Sequence, residues 1–222
     1  MRKPYEVAVL VGSIRTESIT RGIARALIAA APPQLVPAFV EFETMPIYNE
    51  DLESQNPPEW VVFRSKILSV DAVLFVTPEY NRSIPGGLKN ALDVGSRPLG
   101  KNVWDGKPGA VVSVTPGAMG GFGANHHLRQ SLVFLNVLAM AQPEAYIGHA
   151  EQIADESGNI AAPDTAVFFK KIMDSFAAWI DRLQEPDSSV MPVSTTLADS
   201  GREQHLNGAL GRATGPDIVS TL

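Results

Sequence analysis

Three short segments concentrate the side chains that could do chemistry. The first, Gly12-Ser-Ile-Arg-Thr-Glu-Ser-Ile-Thr20, sets the hydroxyls of Ser13, Thr16, Ser18 and Thr20 around Arg15. Donating hydroxyls, a forked guanidinium and a following helix N-terminus favour an anion. The segment lacks both G-x-x-x-x-G-K-[ST] and G-x-G-x-x-G, so neither a nucleoside triphosphate nor a dinucleotide pyrophosphate is the expected guest; a terminal monophosphate matches better. The same residues also read as an ordinary capped helix, with Ser18 or Thr16 as N-cap and Arg15 in solvent.

The second segment, Pro78-Glu-Tyr-Asn-Arg-Ser-Ile-Pro-Gly-Gly-Leu-Lys-Asn90, places a carboxylate, a phenol, an amide and an arginine in succession before two glycines. A carboxylate in a turn ahead of a helix more often bonds backbone amides than abstracts protons. A tyrosine with its ordinary pKa near 10 packs rather than titrates. The third segment runs from Ser113 to Gly123 and carries glycines at 117, 120, 121 and 123. Glycines permit positive φ and bring bare N–H groups close to a ligand, which suits a flat ring bearing carbonyls and ring nitrogens; they equally mark tight turns.

Each segment follows an apolar run of strand length. Strands are expected at Tyr5–Val11, Val36–Phe42, Ala72–Thr77, Ala110–Thr115 and Ala145–Gly148. Their continuous rather than alternating hydrophobicity belongs to parallel strands covered on both faces. Between them, helical spacing marks Ile19–Ala30, Glu59–Ser69, Gly87–Val94, Asn125–Val137 and Asp164–Leu183, the last with Val167, Phe168, Lys171, Ile172, Phe176 and Trp179 partly striping one face. This alternation specifies an α/β, doubly wound parallel sheet. Ligands of such sheets bind beyond the carboxyl ends of the strands, which is where all three segments fall.

The 222 residues, 45% hydrophobic with a formal net charge of −6, suit one globular domain with a sizeable core and argue against a nucleic-acid surface. No apolar run approaches the roughly 20 residues of a membrane span. With no cysteine, disulfides, thiolate metal sites and a cysteine nucleophile are excluded; a cytoplasmic location is expected. His126 and His127 are adjacent on a helix, so their side chains diverge and no metal site is expected. The domain is expected over residues 1–184. Residues 185–222 read as a C-terminal tail, mobile or docked on a neighbouring subunit through Leu206, Leu210 and Ile218.

Taken together, Val9 through Thr20, Thr77 through Asp93 and Ser113 through Gly121 resemble the signature segments of the NADPH-dependent FMN reductase family, most like its bacterial quinone and chromate reductases. The resemblance covers about residues 5 to 183. It implies a flavodoxin-like three-layer sandwich with a five-stranded parallel sheet of order 2-1-3-4-5 and noncovalent FMN. Ser13, Arg15, Ser18 and Thr20 would then hold the FMN phosphate, with Thr20 standing where the family commonly has asparagine. Pro78, Glu79, Tyr80 and Asn81 would flank the ribityl chain and ring; Ser113, Gly117, Gly120 and Gly121 would line the ring.

The activity implied is a ping-pong transfer from NADPH or NADH through FMN to a small-molecule acceptor: a quinone, free flavin, azo dye or metal oxyanion. No catalytic acid or base is assigned, because solvent can protonate the products. The alternative is a flavodoxin-type electron carrier, whose phosphate loop would lack an arginine. The family further implies a homodimer or homotetramer, with Tyr80, Arg82, Arg129 and Glu144 as interface residues.

Overall fold

The computed structural model describes residues 3–184 of the chain. The tail expected at 185–222 lies outside the described residues.

Strand β1 (Tyr5–Val11) leads into α1 (Ile19–Ala29), and β2 (Leu35–Phe39) follows. After a short 3-10 turn come α2 (Pro58–Ser69), β3 (Ala72–Pro78), α3 (Gly86–Ser96), β4 (Pro108–Val114) and α4 (Phe122–Phe134). The chain then adds β5 (Leu138–Ala139), β6 (Ala145–Ile147) and the long α5 (Pro163–Gln184). The strands pair in parallel in the order β2-β1-β3-β4-β5, and β6 also pairs with β4. The expected order is therefore present, with the fifth position filled by two short pieces. Leu138–Ala139 faces Pro108–Gly109, and Ala145–Ile147 faces Val112–Val114. The first piece escaped notice because two residues carry no periodicity.

Parallel pairing buries both faces, and side-chain alternation divides the apolar runs between two cores. Val7, Val9 and Val11 of β1, with Leu74 and Val76 of β3, pack beneath α1 and α5. Ala8 and Leu10, with Val73 and Phe75, pack on the other side against α2, α3 and α4. Helix α5 presents Phe169, Ile172, Met173, Phe176 and Ile180 to the first core, so the stripe is rotated from the expected one and Val167 stands 69% exposed. The Trp60–Phe63–Ile67 spacing of α2 fills the second core. No helix among the described residues is long and apolar enough to cross a membrane.

Register places the site. Val11 lies opposite Val76, Thr77 opposite Ser113, and Pro78 opposite Val114. Strands β1, β3 and β4 therefore end at nearly one level. The order reverses between β1 and β3, so the loops after them diverge and leave a crevice.

Candidate active site

The crevice is a cavity lined by Ser13, Arg15, Ile19, Thr20, Pro78, Glu79, Tyr80, Val114, Thr115 and Pro116. All three sequence segments contribute to it. Of the twelve residues expected to bind a cofactor, Ser13, Arg15, Thr20, Pro78, Glu79 and Tyr80 line the cavity directly.

The first loop is an array of donors. Gly12 N–H bonds the Val76 carbonyl at 2.9 Å, and a Cβ there would lie 2.8 Å from Thr77 Oγ1, so only glycine ends β1 this close to β3. Ser18 is the buried N-cap of α1: its Oγ accepts the Arg21 N–H at 3.1 Å. Ser13 Oγ, also buried, accepts the Arg15 N–H at 3.4 Å. A hydroxyl that accepts an N–H keeps its own proton to donate; Ser13 does so on the cavity lining, while Ser18 sits behind it at the helix start. The N–H groups of Ile19 and Thr20 have no helical partner, since bonding within α1 begins with Gly22 on the Ser18 carbonyl.

Two arginines flank this array, and their partners separate them. Arg21 forms a two-point pair with Glu41 at 2.9 and 2.6 Å and lies 4.8 Å over the Phe39 ring. The Glu41 hydrogen bond outweighs burial and raises the Arg21 pKa further. Arg15 is exposed and has no ion-pair partner among the described residues. Arg15 is thus the free positive charge at this end of the cavity.

The second loop is a tight turn. Tyr80 and Ser83 exchange both backbone hydrogen bonds at 2.9 Å, with Asn81 and Arg82 at φ of 51° and 66° between them. That is the geometry of a type I′ turn, which asparagine tolerates well and arginine less so. Tyr80 and Asn81 are both exposed, and Asn81 sits on the turn tip outside the cavity lining. Ser83 Oγ lies 2.6 Å from His127 Nδ1 on α4. Glu79 accepts the Ala124 N–H on Oε2 at 3.0 Å and faces Arg82 Nη1 from Oε1 at 3.4 Å. Its carboxylate is therefore committed to backbone and to a neighbouring charge.

The third loop divides into a buried half and an open half. Ser113 is fully buried; its Oγ donates to the Gly120 carbonyl at 2.7 Å and accepts from Asn125 Nδ2 at 3.2 Å. Gly120 and Gly121 have φ of 60° and 73°, and a Cβ on Gly120 would lie 2.6 Å from the Tyr146 carbonyl carbon. These three residues brace the loop from beneath. Gly117 is exposed, with nothing nearer to an added Cβ than Thr115 Oγ1 at 3.9 Å. The N–H groups of Gly117, Ala118 and Met119 bond no protein group among the described residues.

Sequence reasoning missed Val114, Thr115, Pro116 and Ile19 as lining residues, although all lie within or beside the quoted segments. It also missed the buried support. Asn125 is wholly buried and accepts Arg129 Nε at 2.9 Å, while Arg129 Nη1 donates to the Met140 carbonyl at 3.0 Å. Arg129, expected at an interface, is thus engaged inside its own subunit. His126 and His127 turn to separate partners, Tyr146 and Ser83, and no group of three metal-ligating side chains occurs among the described residues.

The residues present fit FMN. Hydroxyls, open helix N–H groups and an unpaired guanidinium cluster at α1, a donor set made for a phosphate. The nearby carboxylate is already occupied, and the loop that supplies Val114, Thr115 and Pro116 to the lining carries unbonded amides just beyond them, at Gly117 to Met119.

Comparison with known proteins agrees with this geometry. The model of the NADPH-dependent FMN reductase family matches residues 5–152. A quinone reductase of Pseudomonas putida is 56% identical over 181 residues, covering 81% of this chain and 97% of that protein. A 2-hydroxy-1,4-benzoquinone reductase of Burkholderia is 44% identical, covering 79% and 96%. Among solved structures, the flavoenzyme NAD(P)H:(acceptor) oxidoreductase FerB of Paracoccus denitrificans superposes with a TM-score of 0.76 at 38% identity, over 80% of this chain and 98% of that one. With the fold, the donor set and these likenesses in agreement, the chain belongs to the NADPH-dependent FMN reductase family, enzymes that use FMN and NAD(P)H.

Proposed function

We propose that the protein reduces quinones at the expense of NAD(P)H, with FMN held in the cavity at the ends of β1, β3 and β4. The observation that carries this is the meeting of Ser13, Arg15 and Thr20 with Pro78–Tyr80 and Val114–Pro116 around one cavity. The quinone as acceptor rests on the relatives, two of which are named for quinone reduction.

When bound, FMN supplies two-electron redox chemistry between a nicotinamide and an acceptor. The chain's own residues bind and orient. Arg15, Ser13, Ser18, Thr20 and the first N–H groups of α1 hold the phosphate. Pro78, Glu79 and Tyr80 form one wall, with Asn81 at its turn tip. Thr115 to Gly117 form the other, braced by Ser113, Gly120 and Gly121. The N–H groups of Gly117, Ala118 and Met119, unbonded among the described residues, would be the dipoles that stabilise negative charge developing at the ring. No side chain is required to move a proton. Donor and acceptor use the same mouth in turn, giving ping-pong kinetics. Free flavin, azo dyes and metal oxyanions such as chromate are further acceptors to be compared with quinones.

We place the protein in the cytoplasm as a homodimer or homotetramer. The exposed Val133 and Phe134 on α4 (78% and 81%) support assembly through that helix. Light scattering that returns a monomer would remove the assembly claim alone.

The test is direct. Purified protein, as isolated or after incubation with FMN, should show flavin absorbance, lose it on anaerobic addition of NADPH or NADH, and regain it with 1,4-benzoquinone. Initial rates against both substrates should give parallel double-reciprocal lines. Protein that never takes up FMN, or that holds FMN which neither nucleotide reduces, would overturn the reading.

A further inference from the structure

The N-terminus of α1 lines the cavity through Ile19 and Thr20, that of α4 lies behind the cavity-lining Glu79, and the chain treats the two oppositely. Helix α1 is left open: its only side-chain cap is the neutral Ser18, and the free guanidinium of Arg15 stands beside it. Helix α4 has Gly121 as N-cap and no side-chain cap of its own. In place of one, Glu79 reaches across from the end of β3, 45 residues away in sequence, and accepts the Ala124 N–H at 3.0 Å.

This approach is built into the backbone. Gly123, in the first turn of α4, has no Cβ where one would lie 3.0 Å from Glu79 Oε2 and 2.9 Å from the Arg82 carbonyl. The Glu79 side chain is only 13% exposed and lines the cavity with Ser13, Arg15 and Thr20. Arg82 is 76% exposed and 3.4 Å away, so solvent screens its hold on the carboxylate. The negative charge of Glu79 therefore faces the cavity and the positive end of α4.

We propose that Glu79 is a positioning and specificity-determining residue: its charge neutralises the N-terminus of α4, leaving α1 as the cavity's single attractive end for an anion. A ligand with one terminal phosphate then has one orientation available, and acceptors that carry negative charge are disfavoured against neutral ones. The inference rests on α1 as the phosphate end of the site and adds what makes that choice unique.

Glu79→Gln removes the charge and keeps an oxygen that can accept the Ala124 N–H. Full-length, FMN-loaded protein is titrated with inorganic phosphate while the amide NMR signals of Gly123 and Ala124 are followed. In wild type these signals should stay still. In E79Q they should move saturably, while those of Ile19 and Thr20, already covered by the FMN phosphate, stay still in both. Steady-state rates give a second reading: the ratio of kcat/KM for ferricyanide to that for 1,4-benzoquinone should rise about two- to fivefold in E79Q at low salt, the size of a helix-end charge interaction.

If α4 needed only a hydrogen-bond acceptor, Gln would serve as well as Glu. E79Q signals that ignore phosphate, or wild-type signals that move as E79Q's do, would overturn the proposal. Should the Gln variant not fold, Glu79→Ala decides by the same signals. If the chain takes up no FMN the proposed function fails, yet the Gly123 and Ala124 signals still report on Glu79 in the unloaded protein.

Discussion

Asn125 Nδ2 lies 3.2 Å from Ser113 Oγ, and that bond joins the first turn of α4 to the end of β4. Both residues are fully buried, and neither touches the cavity. Ser113 passes the restraint to the Gly120 carbonyl at 2.7 Å, and Asn125 holds Arg129 at 2.9 Å. The glycine loop thus rests on a fully satisfied polar network, and among the described residues no buried side-chain nitrogen or oxygen lacks a partner. Asn125→Ala leaves both the Ser113 hydroxyl and the Arg129 guanidinium short of a partner. Stranding buried polar groups costs about 1–3 kcal/mol, so the variant should unfold at lower urea with an unchanged slope. An unaltered midpoint would show that water replaces the amide without loss.

Lys107 gives the protein a pH dependence on the alkaline side. Its Nζ donates to the Val70 carbonyl at 2.7 Å, and burial lowers its pKa, against a smaller opposing pull from Asp71. Between this lowered value and the ordinary one near 10.4, the unfolded chain holds a proton that the folded chain has released. More protons on the unfolded state means stability rises with pH across that window. The penalty of burying the charge is fully present below the window and relieved above it. Lys107→Met should remove this slope, so the stability of wild type relative to K107M should increase as pH is raised toward 10.4. A difference that stays level with pH would show that Lys107 titrates alike in both states.

The fold was legible because parallel strands buried on both faces leave apolar runs that need no alternation to be seen, as in β1 and β3. The three site loops were legible because their glycines, hydroxyls and charged side chains break off the apolar runs that precede them. What escaped was whatever depends on contact between distant segments. Glu79 and Ala124 are far apart in sequence, and nothing local marks either as the other's partner. Ser113 lies among the residues of the third segment, and nothing local marks that its hydroxyl bonds Gly120 and Asn125. Arg15 and Arg21 are alike as residue types, and the Glu41 that distinguishes them comes from after β2.

The glycines of the third loop should separate by function. Gly120 combines a positive φ with a Cβ position 2.6 Å from the Tyr146 backbone, so Gly120→Ala meets both conformational strain and a clash with main chain. The conformational part alone is about 1–2 kcal/mol. Gly117 has neither problem. Gly117→Ala should leave thermal stability within about 0.5 kcal/mol of wild type, as open surface positions do, and change only the affinity for FMN. Equal destabilisation by the two would contradict the division of the loop into a braced half and an open half.

Arg15 and Arg21 offer the sharpest test of the phosphate end, because they differ in engagement rather than chemistry. Arg15 has an unpaired guanidinium on the cavity wall; Arg21 is held by Glu41 at 2.9 and 2.6 Å. A hydrogen bond to a charged group contributes about 1.5–3 kcal/mol, so Arg15→Ala should weaken FMN binding about ten- to a hundredfold. The loss should shrink as salt is added, since the site is open to solvent and screening applies. The exposed Arg15 contributes little to packing, so its removal should leave the urea midpoint in place. Arg21→Ala should do the reverse, lowering stability by releasing Glu41 and uncovering Phe39 while changing FMN affinity far less. Titration of unloaded protein with FMN, followed by quenching of flavin fluorescence, measures both. Arg15→Ala binding FMN as tightly as wild type would take the phosphate away from α1.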